Sequence, residues 1–115
     1  DPVAVEVARA NAAANGLRAR VRVGGARQGR RLAPGRYDLI VANILAPVVT
    51  RLAVGIAPLL APGGAVILAG FTAGDDAGGL AAYRRDGLSL RRRTILGNWP
   101  TLTLKRRCSR TADAP

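Results

Sequence analysis

The chain has 115 residues, 49% of them hydrophobic, which is enough for one globular domain with one hydrophobic core. It contains no His and a single Cys, so we expect no metal site, and no catalysis by an imidazole of this chain. No apolar run reaches the roughly 20 residues that cross a bilayer, so we expect neither a membrane-spanning helix nor a membrane partner. The net charge is +11. Because the Arg residues are dispersed and aromatic residues are few, we interpret the charge as compositional bias; weak contact with RNA is the alternative.

The first third of the chain predicts a helix and a strand. Asp1-Pro2 is typical of a helix start, because Asp caps free amides and Pro suits the first turn. Apolar residues at spacings of three and four predict a helix over 3–15, ended by Asn15-Gly16. Alternation of apolar and Arg residues predicts a short strand over 17–23 with one solvated face, followed by a loop over 24–35.

The middle of the chain predicts two buried strands that flank a helix. Residues 37–42 form an apolar run without alternation, which favours a parallel strand buried on both faces. Pro47 can begin a helix over 48–60, with Pro58 near its end. A turn at 61–64 then leads into a second buried strand over 65–69, which closes on Gly70.

The last third predicts one helix and two edge strands. Asp75 or Asp76 can cap a helix that runs to about Arg85 and is ended by Gly87. Residues 88–96 and 102–106 have the composition of edge strands, joined through 97–100. We predict one domain over 1–106 and a disordered tail over 107–115.

Helices that alternate with buried strands predict a doubly wound α/β fold, in which helices cover both faces of a parallel sheet. The chain opens on a helix and has no Met, so we expect a fragment truncated at its N-terminus. The first strand and its glycine-rich loop would be missing. Because the ligand of such folds lies beside that strand, the missing part would hold most of the cofactor.

Asn43 is the strongest candidate for chemistry. It stands at the carboxyl end of the predicted strand over 37–42, and that end faces the ligand crevice in this fold class. A carboxamide there can accept a hydrogen bond from a substrate amine, while a nearby backbone carbonyl accepts a second one. The alternative is that Asn43 caps the next helix or stabilises a turn. Its position alone favours neither interpretation.

Three segments together resemble class I S-adenosylmethionine-dependent methyltransferases: Asp-Pro-x-Ala-Val-x-x-Ala-x-x-Asn-Ala at 1–12, Tyr-Asp-Leu-Ile-Val-Ala-Asn-Ile-Leu-Ala at 37–46, and Leu-Ala-Pro-Gly-Gly at 60–64. The tetrapeptide Asn-Ile-Leu-Ala is similar to the signature of the PrmA family, whose bacterial members methylate amino groups of large-subunit ribosomal protein eleven. Motifs at 82–83, 87–88 and 99–104 resemble the C-terminus of that family, so the resemblance covers residues 1–106.

The resemblance implies a cytoplasmic enzyme that transfers methyl groups from S-adenosylmethionine to amino groups, with lysine as the acceptor, and that has a ribosomal protein as its partner. Asn43 matches the catalytic-loop Asn and would also contact the cofactor. Ile44 and Leu45 would line the pocket of the target amine. Asp1 would be a helix cap that lies near the adenosine, and the loop over 24–28 would approach the adenine.

Two departures from the family leave other functions open. Ala69-Gly70-Phe71-Thr72 stands where the family usually has Ser-Gly-Ile-Leu, so a hydroxyl is lost. The family's N-terminal recognition domain and glycine motif are absent from the sequence. The alternatives are methyl transfer to a glutamine side chain or an RNA base, and a basic binding module or inactive remnant. We expect the chain alone to be inactive and to bind S-adenosylmethionine weakly or not at all.

Two further features are predicted to be structural. Trp99 precedes Pro100 between two edge strands, and we interpret it as a packing anchor; contact with substrate is the alternative. The run Arg91-Arg92-Arg93 is typical of a solvated strand edge, with contact to ribosomal RNA as its alternative. Cys108 has no partner thiol in the sequence, and we assign it no role.

Overall fold

The computed structural model describes residues 1–21 and 34–108. Two compact units make up the chain, Asp1–Arg31 and Leu32–Pro115. In the first unit, helix α1 (Pro2–Ala14) begins as predicted: the Asp1 carboxylate accepts a hydrogen bond of 2.9 Å from the Val3 amide, and Pro2 lies in the first turn. Asp1 is therefore a helix cap.

The strand predicted over 17–23 is wrong where the structure describes it. The Arg20 and Val21 amides both donate to the Leu17 carbonyl, at 2.8 and 3.0 Å, so this segment is a turn. Alternation of apolar and polar residues favours a strand but does not provide a neighbouring strand to pair with. Here the backbone amides form hydrogen bonds within the turn instead. Residues 22–23 lie outside the described residues, as does most of the loop predicted over 24–35, including 24–28.

The second unit contains a mixed four-stranded sheet in the order β1-β2-β4-β3. Its strands are β1 (Tyr37–Asn43), β2 (Leu60–Ala69), β3 (Leu88–Leu96) and β4 (Trp99–Arg106). Strands β1 and β2 are parallel, whereas β4 runs antiparallel to both β2 and β3. The α/β class is confirmed. The prediction that β4 is an edge strand is wrong, because the hairpin folds back so that β4 pairs on both sides.

Strand β1 is exposed on one face, contrary to the prediction of burial on both. Leu39 is 54% exposed and Val41 is 64% exposed, whereas Ile40 and Ala42 pack against the core. The reason is that the described helices of this unit, α2 (Ala46–Ile56) and α3 (Asp76–Arg85), pack on one face of the sheet.

Helix α2 joins the two parallel strands. Pro47 lies in its first turn, where a missing amide costs nothing, so the helix begins two residues earlier than predicted. A 3₁₀ turn (Ala57–Leu59) holds Pro58 and leads into β2. The turn predicted over 61–64 is an irregularity inside β2: Gly63 has φ +75°, and the register jumps from Tyr37 opposite Leu60 to Leu39 opposite Ala65.

The core lies between the two helices and the covered face of the sheet. Tyr83, on α3, is fully buried, and its hydroxyl donates a hydrogen bond of 3.1 Å to the carbonyl of Val49 on α2. Burial raises the pKa of Tyr83 to about 12, with a smaller contribution from the negative charge of Asp86. The other core side chains are Ala53, Ala57, Leu60, Val66, Leu68, Phe71, Leu88, Leu102 and Leu104.

A partly buried ion pair ties the start of α3 to β3. Asp76 is 8% exposed, and its Oδ2 accepts a hydrogen bond of 2.6 Å from Nε of Arg93. This hydrogen bond is the main reason that the pKa of Asp76 is lowered, and it outweighs the opposing effect of burial. All three arginines predicted to form a solvated edge are exposed, and Arg93 has this specific partner in addition.

Tyr83→Phe is expected to destabilise the fold by about 1–2 kcal/mol at neutral pH, because the Val49 carbonyl loses a buried donor. Since the folded pKa of Tyr83 is raised from 10 to about 12, the stability linked to its neutral form is present below pH 10 and is lost as the pH rises through 12. Thermal unfolding should therefore show a steeper alkaline loss for the wild type than for the variant. Parallel profiles would contradict this, and Tyr37→Phe is the control.

Arg93→Met is expected to cost roughly 1 kcal/mol at pH 7, a modest value because the Arg93 side chain is 39% exposed and partly screened. The pKa of Asp76 is lowered in the fold, so the stability of the pair is present above the ordinary value of 3.8 and is lost as the pH falls below it. Thermal unfolding of wild type and variant should converge at acidic pH. Arg92→Met, at the neighbouring exposed position of the same strand, serves as the control because the ion pair with Asp76 is made by Arg93, and an equal loss there would refute the assignment.

Candidate functional site

The two parallel strands end together at one edge of the sheet. Asn43, the last residue of β1, is paired with Ala69, the last residue of β2. The Ile44 amide donates a hydrogen bond of 3.0 Å to the Ala69 carbonyl, so the pairing continues one residue beyond the strand. Asn43 is exposed there. This is the carboxyl end of the parallel pair, where ligands bind in doubly wound sheets.

Gly70 follows β2 and approaches the end of β1 very closely. Its φ is +94°, and a Cβ placed on it would lie 2.6 Å from the Ile44 nitrogen, 2.7 Å from Asn43 Oδ1 and 2.7 Å from the Ile44 carbonyl oxygen. Two hydrogen-bond acceptors, one from a side chain and one from the backbone, thus pack against Gly70 and lie close together. Such a pair is suited to a donor with two N–H groups, such as an amine.

The structure also decides how helix α2 is capped. Its N-cap is Leu45, in an extended conformation and without a side-chain hydrogen bond. Asn43 lies outside the helix. The alternative in which Asn43 caps this helix is therefore wrong, and its carboxamide makes no capping hydrogen bond to α2.

A cleft of about 430 Å³ opens at this edge of the sheet. Leu45, predicted to line the acceptor pocket, is 71% exposed and lies in its wall. The Ile44 side chain instead packs against the core, and its backbone is the part that lies at Gly70. The full lining is Leu45, Ala46, Pro47, Thr50, Gly70, Phe71, Thr72, Asp75 and Trp99.

Polar groups of the cleft come from the segment between β2 and α3. The Thr72 hydroxyl donates a hydrogen bond of 2.7 Å to Oδ2 of Asp75, which orients this carboxylate. Asp75 precedes α3 but makes no side-chain cap to it. This segment was not predicted to be functional, although it follows the carboxyl end of a parallel strand, the same signal that identified Asn43.

Trp99 lies in the cleft wall, and its interpretation as a packing anchor is wrong. It is 58% exposed, while the adjacent Pro100 is buried. The tight turn at Gly97-Asn98 brings Trp99 to the end of the hairpin, beside the cleft. There the Asn98 carbonyl accepts a hydrogen bond of 3.0 Å from the Ala73 amide. Proximity to Pro100 therefore does not bury the indole.

Asp1 belongs to the first unit, where its carboxylate is engaged by the Val3 amide. Within the described residues, no group of three or more His, Cys, Asp or Glu side chains is placed to hold a metal ion. No described helix has both the length and the apolar character needed to cross a membrane. Cys108 is exposed as a free thiol.

Residues 1–107 match the family model of ribosomal protein L11 methyltransferase (PrmA). The L11 methyltransferase of Brucella suis is 40% identical over 111 residues, which cover 91% of this chain and 38% of the relative. That of Rhizobium rhizogenes is 41% identical over 111 residues, covering 92% of this chain and 37% of the relative. The chain thus spans about 38% of the length of the curated relatives it matches.

Solved structures agree with this match. The ribosomal protein L11 methylase of Lactobacillus delbrueckii subsp. bulgaricus superposes with a TM-score of 0.72 at 27% identity, covering 90% of this chain and 53% of that one. A methyltransferase from Pyrococcus furiosus shares the fold, with a TM-score of 0.70 at 22% identity over 93% of this chain and 59% of that one. With its Asn-Ile-Leu-Ala segment at the end of β1, the chain belongs to the PrmA family of ribosomal protein L11 methyltransferases.

Proposed function

We propose that this chain forms the acceptor side of a cytoplasmic enzyme that transfers methyl groups from S-adenosylmethionine to amino groups, chiefly of lysine, in ribosomal protein L11. The observation that carries the proposal is that Asn43 Oδ1 and the Ile44 carbonyl oxygen both lie against Gly70, so that two acceptors stand close together at the carboxyl end of the parallel strands. Family membership supplies the reaction class. Neither of these two oxygens is an ionised base, and a neutral amine that attacks a methyl group needs none at this position.

In this proposal the two oxygens orient the acceptor. Two N–H groups of the neutral amine donate to Asn43 Oδ1 and to the Ile44 carbonyl, which turns the nitrogen lone pair away from both. S-adenosylmethionine, when bound, supplies an electrophilic methyl group on a sulfonium sulfur. The methyl group would pass to nitrogen as the C–S bond breaks, which leaves a neutral thioether and a positively charged methylammonium that then loses a proton to solvent. Alignment, rather than acid–base chemistry, is the contribution of Asn43.

The character of the cleft supports lysine as the acceptor. Leu45 and Trp99 give it apolar surface suited to an aliphatic side chain, and Asp75 adds a carboxylate that attracts an ammonium group. The same carboxylate repels the phosphates of RNA and gives no advantage to a neutral glutamine. Methyl transfer to glutamine or to an RNA base is therefore the weaker candidate. Contact of the arginines at 91–93 with RNA was the alternative to a solvated strand edge, and it stays untested.

Contacts with the cofactor are proposed for two residues. Asn43 is exposed at the strand end, where its uncharged carboxamide fits beside a sulfonium donor, and Asp1 is proposed to lie near the adenosine. Because the chain spans about 38% of the length of its relatives, we expect it to be inactive alone. The experiments below use a chimera in which residues 1–107 replace the matching segment of the Brucella suis L11 methyltransferase.

Asn43→Ala in the chimera is expected to lower kcat for methylation of L11 about a hundredfold, because the acceptor amine loses one of its two orienting oxygens. The dissociation constant of S-adenosylmethionine, measured by calorimetry, should change much less. Asn15→Ala, which removes an exposed carboxamide at the end of α1, is the control. Mass spectrometry of the product identifies the acceptor, and methylation of glutamine would favour the weaker candidate. Full activity of Asn43→Ala would refute the role of this residue.

Trp99→Ala is expected to raise the KM for L11 by roughly tenfold with little change in kcat, since an exposed aromatic wall contributes binding that is equal in the ground and transition states. Its stability cost should stay within about 0.5 kcal/mol, because the indole is 58% exposed. Leu102→Ala, at a fully buried position on the same strand, should cost about 2–5 kcal/mol. Equal destabilisation by the two substitutions would restore the packing role of Trp99.

A further inference from the structure

We propose that Gly70 is a positioning residue for methyl transfer: the absence of a side chain at Gly70 lets the Asn43 carboxamide stand beside the Ile44 carbonyl in the orientation that receives the acceptor amine. This rests on the proposed function of Asn43. Gly70 itself donates no side-chain group to the reaction. It acts by leaving empty the space that the two oxygens require.

The distances leave no room for a larger residue. Real Cβ atoms essentially never come within 3.0 Å of such neighbours, yet a Cβ on Gly70 would lie 2.6 or 2.7 Å from three atoms of the β1 end. Two of these atoms belong to the Ile44 backbone, and the Ile44 amide is already held by its 3.0 Å hydrogen bond to Ala69. The Ile44 backbone is therefore held by its hydrogen bond to Ala69, and a Cβ on Gly70 would press against it. Movement of the Asn43 carboxamide alone does not relieve the collision, so an added methyl group must also displace the Ile44 backbone.

Two other glycines allow the steric collision at Gly70 to be distinguished from the strain of its positive φ. Gly64 is also crowded, with Cβ contacts of 2.8 Å to the Ala61 oxygen and 3.0 Å to the Tyr37 oxygen, but those atoms lie at the other end of β1. Gly74 has φ +102°, close to the +94° of Gly70, and a Cβ on it would meet nothing within 4 Å. Alanine at Gly74 thus carries the same left-handed strain as alanine at Gly70, without touching Asn43.

The consequence for the reaction is a loss of alignment. To reach an ordinary contact of 3.4 Å or more, the oxygens beside Gly70 must move by several tenths of an ångström. Hydrogen bonds to the amine then shorten on one side and lengthen on the other, and the lone pair turns away from the line of attack. Displacements of about 1 Å cost up to a hundredfold in rate. Cofactor affinity does not depend on the direction of this lone pair.

The test compares Gly70→Ala with Gly74→Ala in the chimera. Both variants should lose thermal stability, because both force alanine to adopt a positive φ, and Gly70→Ala should lose more, because its methyl group also collides with the end of β1. Gly70→Ala should lower kcat for L11 methylation roughly tenfold to a hundredfold, with the dissociation constant of S-adenosylmethionine unchanged within about twofold. Gly74→Ala should keep kcat within about twofold of the parent. Rates are expressed per folded, cofactor-binding molecule.

A second measurement asks whether Gly70 acts through Asn43. Gly70→Ala should reduce kcat less in the Asn43→Ala background than in the parent, because the carboxamide to be positioned is gone. Equal losses in the two backgrounds would overturn the inference. Equal kcat for Gly70→Ala and Gly74→Ala would do so as well, and so would a Gly70→Ala protein that does not fold while Gly74→Ala does.

Failure of the proposed function is distinguishable from failure of this inference. An inactive parent chimera, or an Asn43→Ala variant of full activity, counts against the proposed function and removes the basis for a role of Gly70. An active parent that depends on Asn43 but tolerates alanine at Gly70 counts against the positioning role alone.

Discussion

The parallel pairing of β1 with β2 is the constraint on which the site depends. A parallel pair needs a crossover, and α2 supplies it on the covered face of the sheet. Because the pairing sets Asn43 opposite Ala69, both strands end at the same edge, and the next residues, Ile44 and Gly70, must lie side by side. The hydrogen bond from Ile44 to Ala69 fixes how close they come. A slip of one residue in this register would turn Asn43 to the opposite face of the sheet.

The second wall of the cleft has a different origin. The β3–β4 hairpin pairs with β2 in the antiparallel sense, so its turn returns to the edge where β1 and β2 end. Two contacts hold it there: the backbone hydrogen bond between Ala73 and Asn98, and the ion pair of Asp76 with Arg93. Both link the segment after β2 to the hairpin. The hairpin turn therefore stands beside the ends of β1 and β2 and carries the exposed Trp99. A cleft lies between the turn and these strand ends.

Local sequence signals predicted the helices and the end of β1 well. Asp1-Pro2 placed α1, Gly87 ended α3, and the apolar run before Asn43 placed the polar residue at the strand end. These features depend on caps and turns within a few residues. The wrong predictions concern which elements pack or pair with each other in the fold. Alternation over 17–23 did not supply a neighbouring strand, and no local pattern reports which face of β1 the helices leave open.

The cleft shows the same limit. Trp99, Thr72 and Asp75 come together only because the hairpin and the β2–α3 segment meet, and nothing in their separate surroundings in the sequence connects them. Asn43 was identifiable because ligands of parallel α/β sheets bind at the carboxyl ends of the strands. Gly70 was visible as the end of a strand, yet its contact with Asn43 depends on the register between two strands. A register is set by the whole sheet and cannot be inferred from either strand alone.

Under the proposed function, the charge around the cleft must serve two opposed needs. A lysine amine has a pKa of about 10.4 in water, so it arrives as an ammonium ion, yet only the neutral amine can attack. Asp75 attracts the ion but also favours its charged form; its exposure lets solvent weaken that effect. Leu45 and Trp99 give the cleft apolar walls, and desolvation of the amine between them favours loss of the proton. Attraction thus comes from Asp75 and deprotonation from the apolar walls, whereas an ionised carboxylate in place of Asn43 would hold the amine in its charged form.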